Sequence, residues 1–109
     1  MEFNFLSYGA LHMKVLSIQI VPAQPGFITV IDFDDVKKVE TGEPVIAWRI
    51  ETYDTKQFDA VYSICIALTV HGDAVSNCIG VQNPDKTVTV FEEATYSSLE
   101  ELQKHRYPQ

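Results

Sequence analysis

The chain is 109 residues long, 46% of its residues are apolar, and its formal net charge at pH 7 is −7. This length suits one domain and is too short for two independent cores, while the apolar fraction excludes an intrinsically disordered chain. The excess of acidic side chains argues against direct nucleic-acid binding, because such binding needs Lys and Arg to displace phosphate counterions.

The only cysteines are Cys65 and Cys78. They form no C-x-x-C pair, so the sequence indicates no zinc framework and no metal site. Cys65 falls in an apolar run and is predicted to be a buried, inert thiol, whereas Cys78 opens a strand and could be exposed. A single bridge between them stays open as an alternative.

Other signals of location and cofactor use are missing from the sequence. The glycines form no phosphate-binding pattern, so no cofactor is expected. The N-terminus has no basic segment followed by an apolar one, and no run approaches the ~20 apolar residues of a membrane span. The sequence therefore predicts a cytoplasmic protein with no membrane contact.

Residues 1–12 carry four large apolar side chains without clean periodicity and precede a second methionine, Met13. Two interpretations are open for this segment. It is either an upstream extension, with Met13 as the native start, or a short edge strand. Residues 13–109 are then a single β-rich domain.

Several segments alternate with the period of two that is typical of strands with one face on a core. Residues 14–21 form the first, with Leu16, Ile18 and Ile20 as the core-facing set. After a turn at 22–26, residues 27–33 form the second, which residues 36–39 extend irregularly.

A turn is predicted at 41–44 from its Gly and Pro residues, and the cleanest amphipathic strand follows at 45–53. Residues 60–70 alternate large with small side chains. This pattern predicts a central strand covered on both sides, with a helix over the small face.

Two β-prone runs, 79–82 and 87–91, flank a Pro-Asp turn at 83–86 and predict a tight hairpin. A helix follows, and Ser97 with Glu100 has the spacing of a capping box. Leu99 and Leu102 supply its apolar stripe, and Pro108 ends it. The fold class is therefore α+β: an antiparallel sheet of about five or six strands, as a meander or partly closed barrel, with one C-terminal helix.

The first functional hypothesis is a non-enzymatic binding or regulatory protein that acts through protein–protein contact. One form of it is an inhibitor that presents an acidic face to a basic, nucleic-acid-binding target. Arg49 follows Trp48 in the strand at 45–53 and is a further binding candidate, since Trp and Arg concentrate in interface hot spots. Core packing is the favoured role for Trp48 itself. The candidate acidic residues are Asp32, Asp34, Asp35, Glu40, Glu43, Glu92 and Glu93, joined by Glu100 and Glu101 in the helix.

Two alternatives belong to other classes. Cys78, His71 and Asp73 supply a thiol, an imidazole and a carboxylate, the parts of a cysteine hydrolase, and predict convergence in a ligand-binding cavity. No glycine-rich oxyanion turn accompanies them. The third hypothesis is a structural subunit of a homo-oligomer, such as a homodimer in which an exposed strand edge pairs with its own copy.

Overall fold

The computed structural model describes residues 13–55 and 60–109, so the interpretations of residues 1–12 lie outside the described residues. Within them, nine strands precede one helix, and all strand pairs are antiparallel. The elements are β1 Met13–Pro22, β2 Ile28–Phe33, β3 Lys38–Pro44, β4 Ala47–Thr55, β5 Ala60–Thr69, β6 Gly72–Asp73, β7 Cys78–Gln82, β8 Val88–Val90, β9 Thr95–Tyr96 and α1 Leu99–Arg106.

The strands form two sheets. The four-stranded sheet has the order β1-β4-β5-β6, and the five-stranded sheet has the order β3-β2-β7-β8-β9. The predicted α+β class, with antiparallel strands and one C-terminal helix, is confirmed. Neither sheet closes into a barrel within the described ranges. The strand count exceeds the five or six expected because β3 includes the residues predicted to form a turn, and because β6 and β9, of two residues each, are too short to show a pattern.

The main core lies between the five-stranded sheet and α1. Its buried members, Val30, Val39, Val88, Val90 and Leu102, come from β2, β3, β8 and the helix. The side-chain amide of Gln103 fixes the helix on β3, because its Oε1 accepts from the Val39 N–H at 2.8 Å and its Nε2 donates to the Lys37 carbonyl at 3.0 Å. The helix therefore covers the edge strand of this sheet.

The helix begins one residue later than the capping box at Ser97 predicted. Ser98 is the N-cap, and its hydroxyl accepts from the Glu101 N–H at 3.1 Å. Two adjacent serines each have a glutamate three residues on, and tertiary packing selects the second, which leaves Leu102 fully buried. The helix ends at Arg106, before Pro108, as predicted.

A second, smaller cluster joins the two sheets. Val45, Ala67 and Val81 are its buried members, and the Trp48 ring meets Phe27 edge-on at a centroid distance of 5.5 Å. Among the described residues, this cluster contacts one end of the four-stranded sheet, at Trp48 of β4 and Ala67 of β5. The radius of gyration is 15.8 Å, compared with ~13 Å for a compact domain of this length.

The expected covering of residues 60–70 was wrong. Between Val61 and Thr69 of β5, only Ala67 and Thr69 are buried, whereas Val61, Tyr62 and Cys65 are exposed. Alternation shows that a strand has two distinct faces, but it does not show which element covers each face, and α1 packs on the other sheet. Cys65 and Cys78 are both free thiols, so Cys65 is not the buried thiol expected, and the half-buried one is Cys78.

The turn predicted at 41–44 was also wrong, because these residues continue β3. Thr29 of β2 lies beside this stretch, where the pairing of β2 with β3 is irregular. Its hydroxyl accepts from the Glu43 N–H at 2.8 Å and donates to the Glu43 carbonyl at 3.2 Å. A Cβ on Gly42 would lie 2.7 Å from the Thr29 Oγ1. Gly42 thus permits the close approach of the Thr29 side chain, a role that glycine has in strands as well as in turns.

The hairpin predicted at 79–91 is confirmed as β7 and β8. The Lys86 N–H donates to the Asn83 carbonyl at 2.9 Å, and Lys86 itself has a φ of 76°. A tight turn followed by a left-handed residue is a common way to join antiparallel strands.

Candidate functional site

Asp32 is buried and holds the end of the helix to β2. The residue opposite it on β3 is Val39, a member of the main core. Directly opposite residues of two antiparallel strands point to the same face, so Asp32 is on the face that the helix covers. Its Oδ2 accepts from the Arg106 Nη2 at 2.7 Å, and its Oδ1 accepts from the Tyr107 hydroxyl. The hydrogen bond from the Tyr107 hydroxyl to Asp32 is the main cause of the raised pKa of Tyr107. Asp32 therefore has a structural position and does not lie on an exposed acidic face.

Four of the other acidic candidates lie at one end of the five-stranded sheet. Because β2 and β8 run in the same direction, the turns that follow them share an end. Asp34 and Asp35 are exposed on the first turn, and Glu92 and Glu93 on the second. Arg106 lies between the turns, with its Nη1 3.9 Å from the Glu93 Oε2.

The remaining acidic candidates lie elsewhere, each within 4 Å of a lysine or histidine side chain. Glu40 is 3.4 Å from Lys38, and Glu43 is 3.2 Å from the His71 Nε2. In the helix, Lys104 lies 3.5 Å from Glu100 and 3.8 Å from Glu101. Across residues 13–55 and 60–109, no three His, Cys, Asp or Glu side chains are placed to hold a metal ion. The acidic candidates thus do not form one continuous face.

His71 and Asp73 line a common pocket of about 290 Å³, together with Glu43. The pocket lies where the segment after β5 passes the β2–β3 side of the five-stranded sheet, and Ile31, Phe33 and Val75 give it an apolar lining. Cys78 is not among the lining residues. Its Sγ donates to the Gly80 carbonyl at 3.3 Å, and burial raises its pKa, which disfavours the thiolate. The structure therefore joins two members of the trio and leaves out the nucleophile.

Arg49 is the centre of a charge network across the four-stranded sheet. It forms two hydrogen bonds to Asp73, at 2.6 and 2.9 Å, and a third to Glu51 at 2.9 Å. The bonds to Asp73 are the main cause that raises the Arg49 pKa, and they lower the pKa of Asp73. The positive charge of Arg49 is thus paired with two carboxylates of its own chain.

Tyr53 extends this network, since its hydroxyl donates to the Glu51 carboxylate. Burial, and then the bond to Glu51, raise its pKa to about 12. The ring stacks on Tyr62 of β5, with a centroid distance of 5.7 Å. The buried tyrosine therefore supports an exposed one on the same face of the sheet.

The four-stranded sheet exposes apolar side chains on both faces, a feature that the sequence pattern did not predict. The register places Ile18, Ile20 and Tyr62 on one side, here called the Arg49 face, and Val21, Val61 and Cys65 on the other, the Trp48 face. Ile20 is 64% exposed, Ile18 52% and Val61 62%. The core-facing role predicted for Leu16, Ile18 and Ile20 was therefore wrong. No pattern in residues 15–21 signals this exposure, because an uncharged alternating strand is equally typical of a strand with one face on a core.

The free edge of β1 adds backbone hydrogen-bonding groups to this surface. Within the described residues, β4 is the only strand paired with β1. The Ala23 N–H donates to the Ile46 carbonyl at 3.0 Å in the same register, so alternate residues from Val21 back to Ser17 also bond to β4. The N–H and C=O groups of Ile18 and Ile20 consequently point away from the sheet.

No protein-family model matches the chain, and no curated protein or solved structure matches it. Among the described residues, no helix has both the length and the apolar character needed to cross a membrane.

Proposed function

We propose that the chain is a non-enzymatic protein that acts by protein–protein contact, and that the outer part of the four-stranded sheet is its contact surface. One observation carries the proposal: this sheet exposes large apolar side chains on both faces, Ile18 and Ile20 on one and Val61 on the other. An antiparallel sheet commonly has one face on a core, and clustered exposed apolar residues mark interaction sites.

The chemistry of this surface suits a protein partner. Ile20, Ile18 and Tyr62 provide apolar and aromatic area, which is typical of the centre of an interface. Arg49 lies beside them with its charge compensated by Asp73 and Glu51. A partner could therefore cover this face without leaving a buried charge unpaired, which would oppose binding.

The acidic-inhibitor form of the hypothesis uses a different surface. Asp34, Asp35, Glu92 and Glu93 are exposed at the end of the five-stranded sheet and could face a basic target. We rank this surface second, because Asp32 is bonded inside the protein and Arg106 lies between the two acidic turns.

In-cell photo-crosslinking tests the proposal. A photo-reactive amino acid replaces Ile20 on the four-stranded sheet, Asp35 on the acidic turn, or Lys104 on the exposed side of α1. We expect a discrete crosslinked product for position 20 and none for position 104. Thermal melting of each variant shows whether the fold is retained.

The mass of the product identifies the partner. A product at position 20, whether it contains a second copy or another protein, supports the proposed surface. A product at position 35 alone would show that the acidic turns are the contact surface, and the absence of a product at either position would contradict a contact function.

Small-ligand binding is the second candidate function, and the pocket shared by His71, Glu43 and Asp73 favours it. Its volume of about 290 Å³ is at the lower end for small-molecule sites. A fragment screen followed by amide chemical shifts is the test. Binding there should shift the Thr69–Val75 amides, and the shifts should weaken in a His71→Ala variant but not in a Lys104→Ala variant.

A further inference from the structure

We propose that β1 pairs antiparallel with β1 of a second copy of this chain, about a two-fold axis at Gln19, so that the two four-stranded sheets become one continuous sheet. This inference rests on the proposed function, because it names the partner of the same surface.

Among the described residues, no strand pairs with the side of β1 that faces away from β4, and this edge supplies the hydrogen bonds. Ile18 and Ile20 direct their N–H and C=O groups away from β4, as the register and the Ala23–Ile46 bond require. With the axis at Gln19, Ile18 of each copy lies opposite Ile20 of the other. Both residues in each such pair have outward groups, so they can exchange hydrogen bonds as in an ordinary antiparallel ladder.

The regular part of β1 fixes this register. The pairing of β1 with β4 is irregular between Val15 and Ser17, and Pro22 has no N–H to donate. Residues 17–21 are thus the uninterrupted stretch, and Gln19 is its centre. An axis at Ile18 would instead bring the irregular Leu16 into the ladder.

In this register, side chains from one face of β1 meet side chains from the same face of the second copy. Ile18 and Ile20 are both on the Arg49 face, so each exposed isoleucine meets an isoleucine of the second copy. On the Trp48 face, Ser17 meets Val21 and Gln19 meets Gln19. The contact is isologous, with the same patch on both subunits, as in most dimers of identical chains.

An uncharged edge suits a second copy better than a basic partner. Two chains of net charge −7 repel each other overall, so we expect their contact where neither copy contributes charge. Residues 15–21 contain no charged side chain. The nearest charged pair on β4, Arg49 and Glu51, is joined internally at 2.9 Å. A basic partner would find its complement at the acidic turns instead.

Site-directed disulfide formation tests the register. In the proposed dimer the two Gln19 residues form a non-hydrogen-bonded pair, with Cα atoms about 4.5 Å apart, which a disulfide can span. Ser17 is the matched control, since it is on the same strand and face, yet the two Ser17 residues would be roughly 14 Å apart along the ladder. The full chain carries Cys65→Ser, which removes the exposed native thiol, with either Gln19→Cys or Ser17→Cys.

Under mild oxidation, Gln19→Cys should give a reducible covalent dimer much faster than Ser17→Cys, and adding Ile20→Lys should abolish it. The protein without substitutions should sediment as a concentration-dependent dimer. Equal crosslinking rates for the two cysteine variants, or a monomer at every concentration, would overturn the inference. If a monomer were found while photo-crosslinking at position 20 captured a different protein, the inference would fail and the proposed function would stand.

Discussion

Ile20 of β1 lies directly opposite Arg49 of β4, and the two side chains share one face of the four-stranded sheet. The isoleucine is 64% exposed, whereas the guanidinium is hydrogen-bonded to Asp73 and Glu51. A partner that packs on Ile20 therefore lies next to a guanidinium whose positive charge is already paired within the chain. The Arg49 charge network stabilises the four-stranded sheet. The pairing of Ile20 with Arg49 places this network next to the β1 edge, at which we propose the protein–protein contact.

The Arg49–Asp73 pair should make a small, pH-dependent contribution to stability. Because Arg49 lowers the pKa of Asp73 below 3.8, this contribution is complete above that value and is lost as the pH falls through the pKa of the folded state. Asp73→Asn should therefore lower the free energy of unfolding by about 0.2–1 kcal/mol at pH 7, as is usual for exposed pairs. Urea unfolding measures the loss.

At pH 3 the loss should be smaller, since this pH is below the ordinary carboxyl pKa of 3.8, at which the unfolded chain takes up its proton. Asp35→Asn, on the exposed β2–β3 turn, is the matched control and should leave stability nearly unchanged. An equal loss at both pH values would show that Asp73 stabilises the turn without its charge.

Tyr53 should ionise late in an alkaline titration. Its pKa is raised to about 12, first by burial and then by its bond to Glu51. A raised pKa means that Tyr53 adds stability below pH 10 and that this stability is lost as the pH rises towards 12. Absorbance at 295 nm, which follows phenolate formation, should show a late component that Tyr53→Phe reduces. Tyr96 and Tyr107, whose pKa values are also raised, contribute the rest of it.

Tyr62→Phe is the control, because Tyr62 is the exposed partner in the ring stack. It should keep the late component. Should Tyr53→Phe leave the late component undiminished, the late phenolates would belong to other tyrosines, and the Tyr53–Glu51 bond would not persist in solution.

The bond between Asp32 and Arg106 should be among the strongest polar contributions to stability. Asp32→Asn removes the negative charge and leaves one acceptor oxygen for two donors, the Arg106 Nη2 and the Tyr107 hydroxyl. The buried Nε of Arg106 already lacks a hydrogen bond within the described structure. We expect a loss of roughly 1.5–3 kcal/mol in the free energy of unfolding, the range for hydrogen bonds to charged groups. Glu93→Gln, which removes only the 3.9 Å contact, should cost less than about 1 kcal/mol. Similar losses in the two variants would contradict a structural role for Asp32.

The local elements were predictable because they depend on short-range patterns. The alternation at 14–21 and 45–53 predicts β1 and β4, and the Pro-Asp turn predicts the β7–β8 hairpin. The arrangement of the sheets was not predictable in this way. Alternation in residues 60–70 distinguishes two faces of a strand, but the packing of α1 on β3 rather than on β5 is decided by distant contacts such as Gln103 with Val39.

The sites show the same division. Asp32, Asp34 and Asp35 are close in sequence and were expected on one acidic face. Because β2 ends at Phe33, Asp32 lies in the strand, whereas Asp34 and Asp35 lie on the turn that follows. The alternation Val30, Asp32 already placed one carboxylate on the core face, and Arg106 in the last helical turn was its available partner. The exposed edge of β1 could not be recognised by periodicity, since an alternating strand looks the same whether its apolar face is covered by this chain or by another.

Amide hydrogen exchange at β1 is the most direct test of the central claim that this edge pairs with a second copy. The N–H groups of Ile18 and Ile20 point outward, whereas the Gln19 N–H bonds to β4 and serves as an internal reference. At high protein concentration we predict protection at Ile18 and Ile20, and on dilution their exchange should accelerate while Gln19 stays protected. Fast exchange at Ile18 and Ile20 at every concentration would contradict the claim.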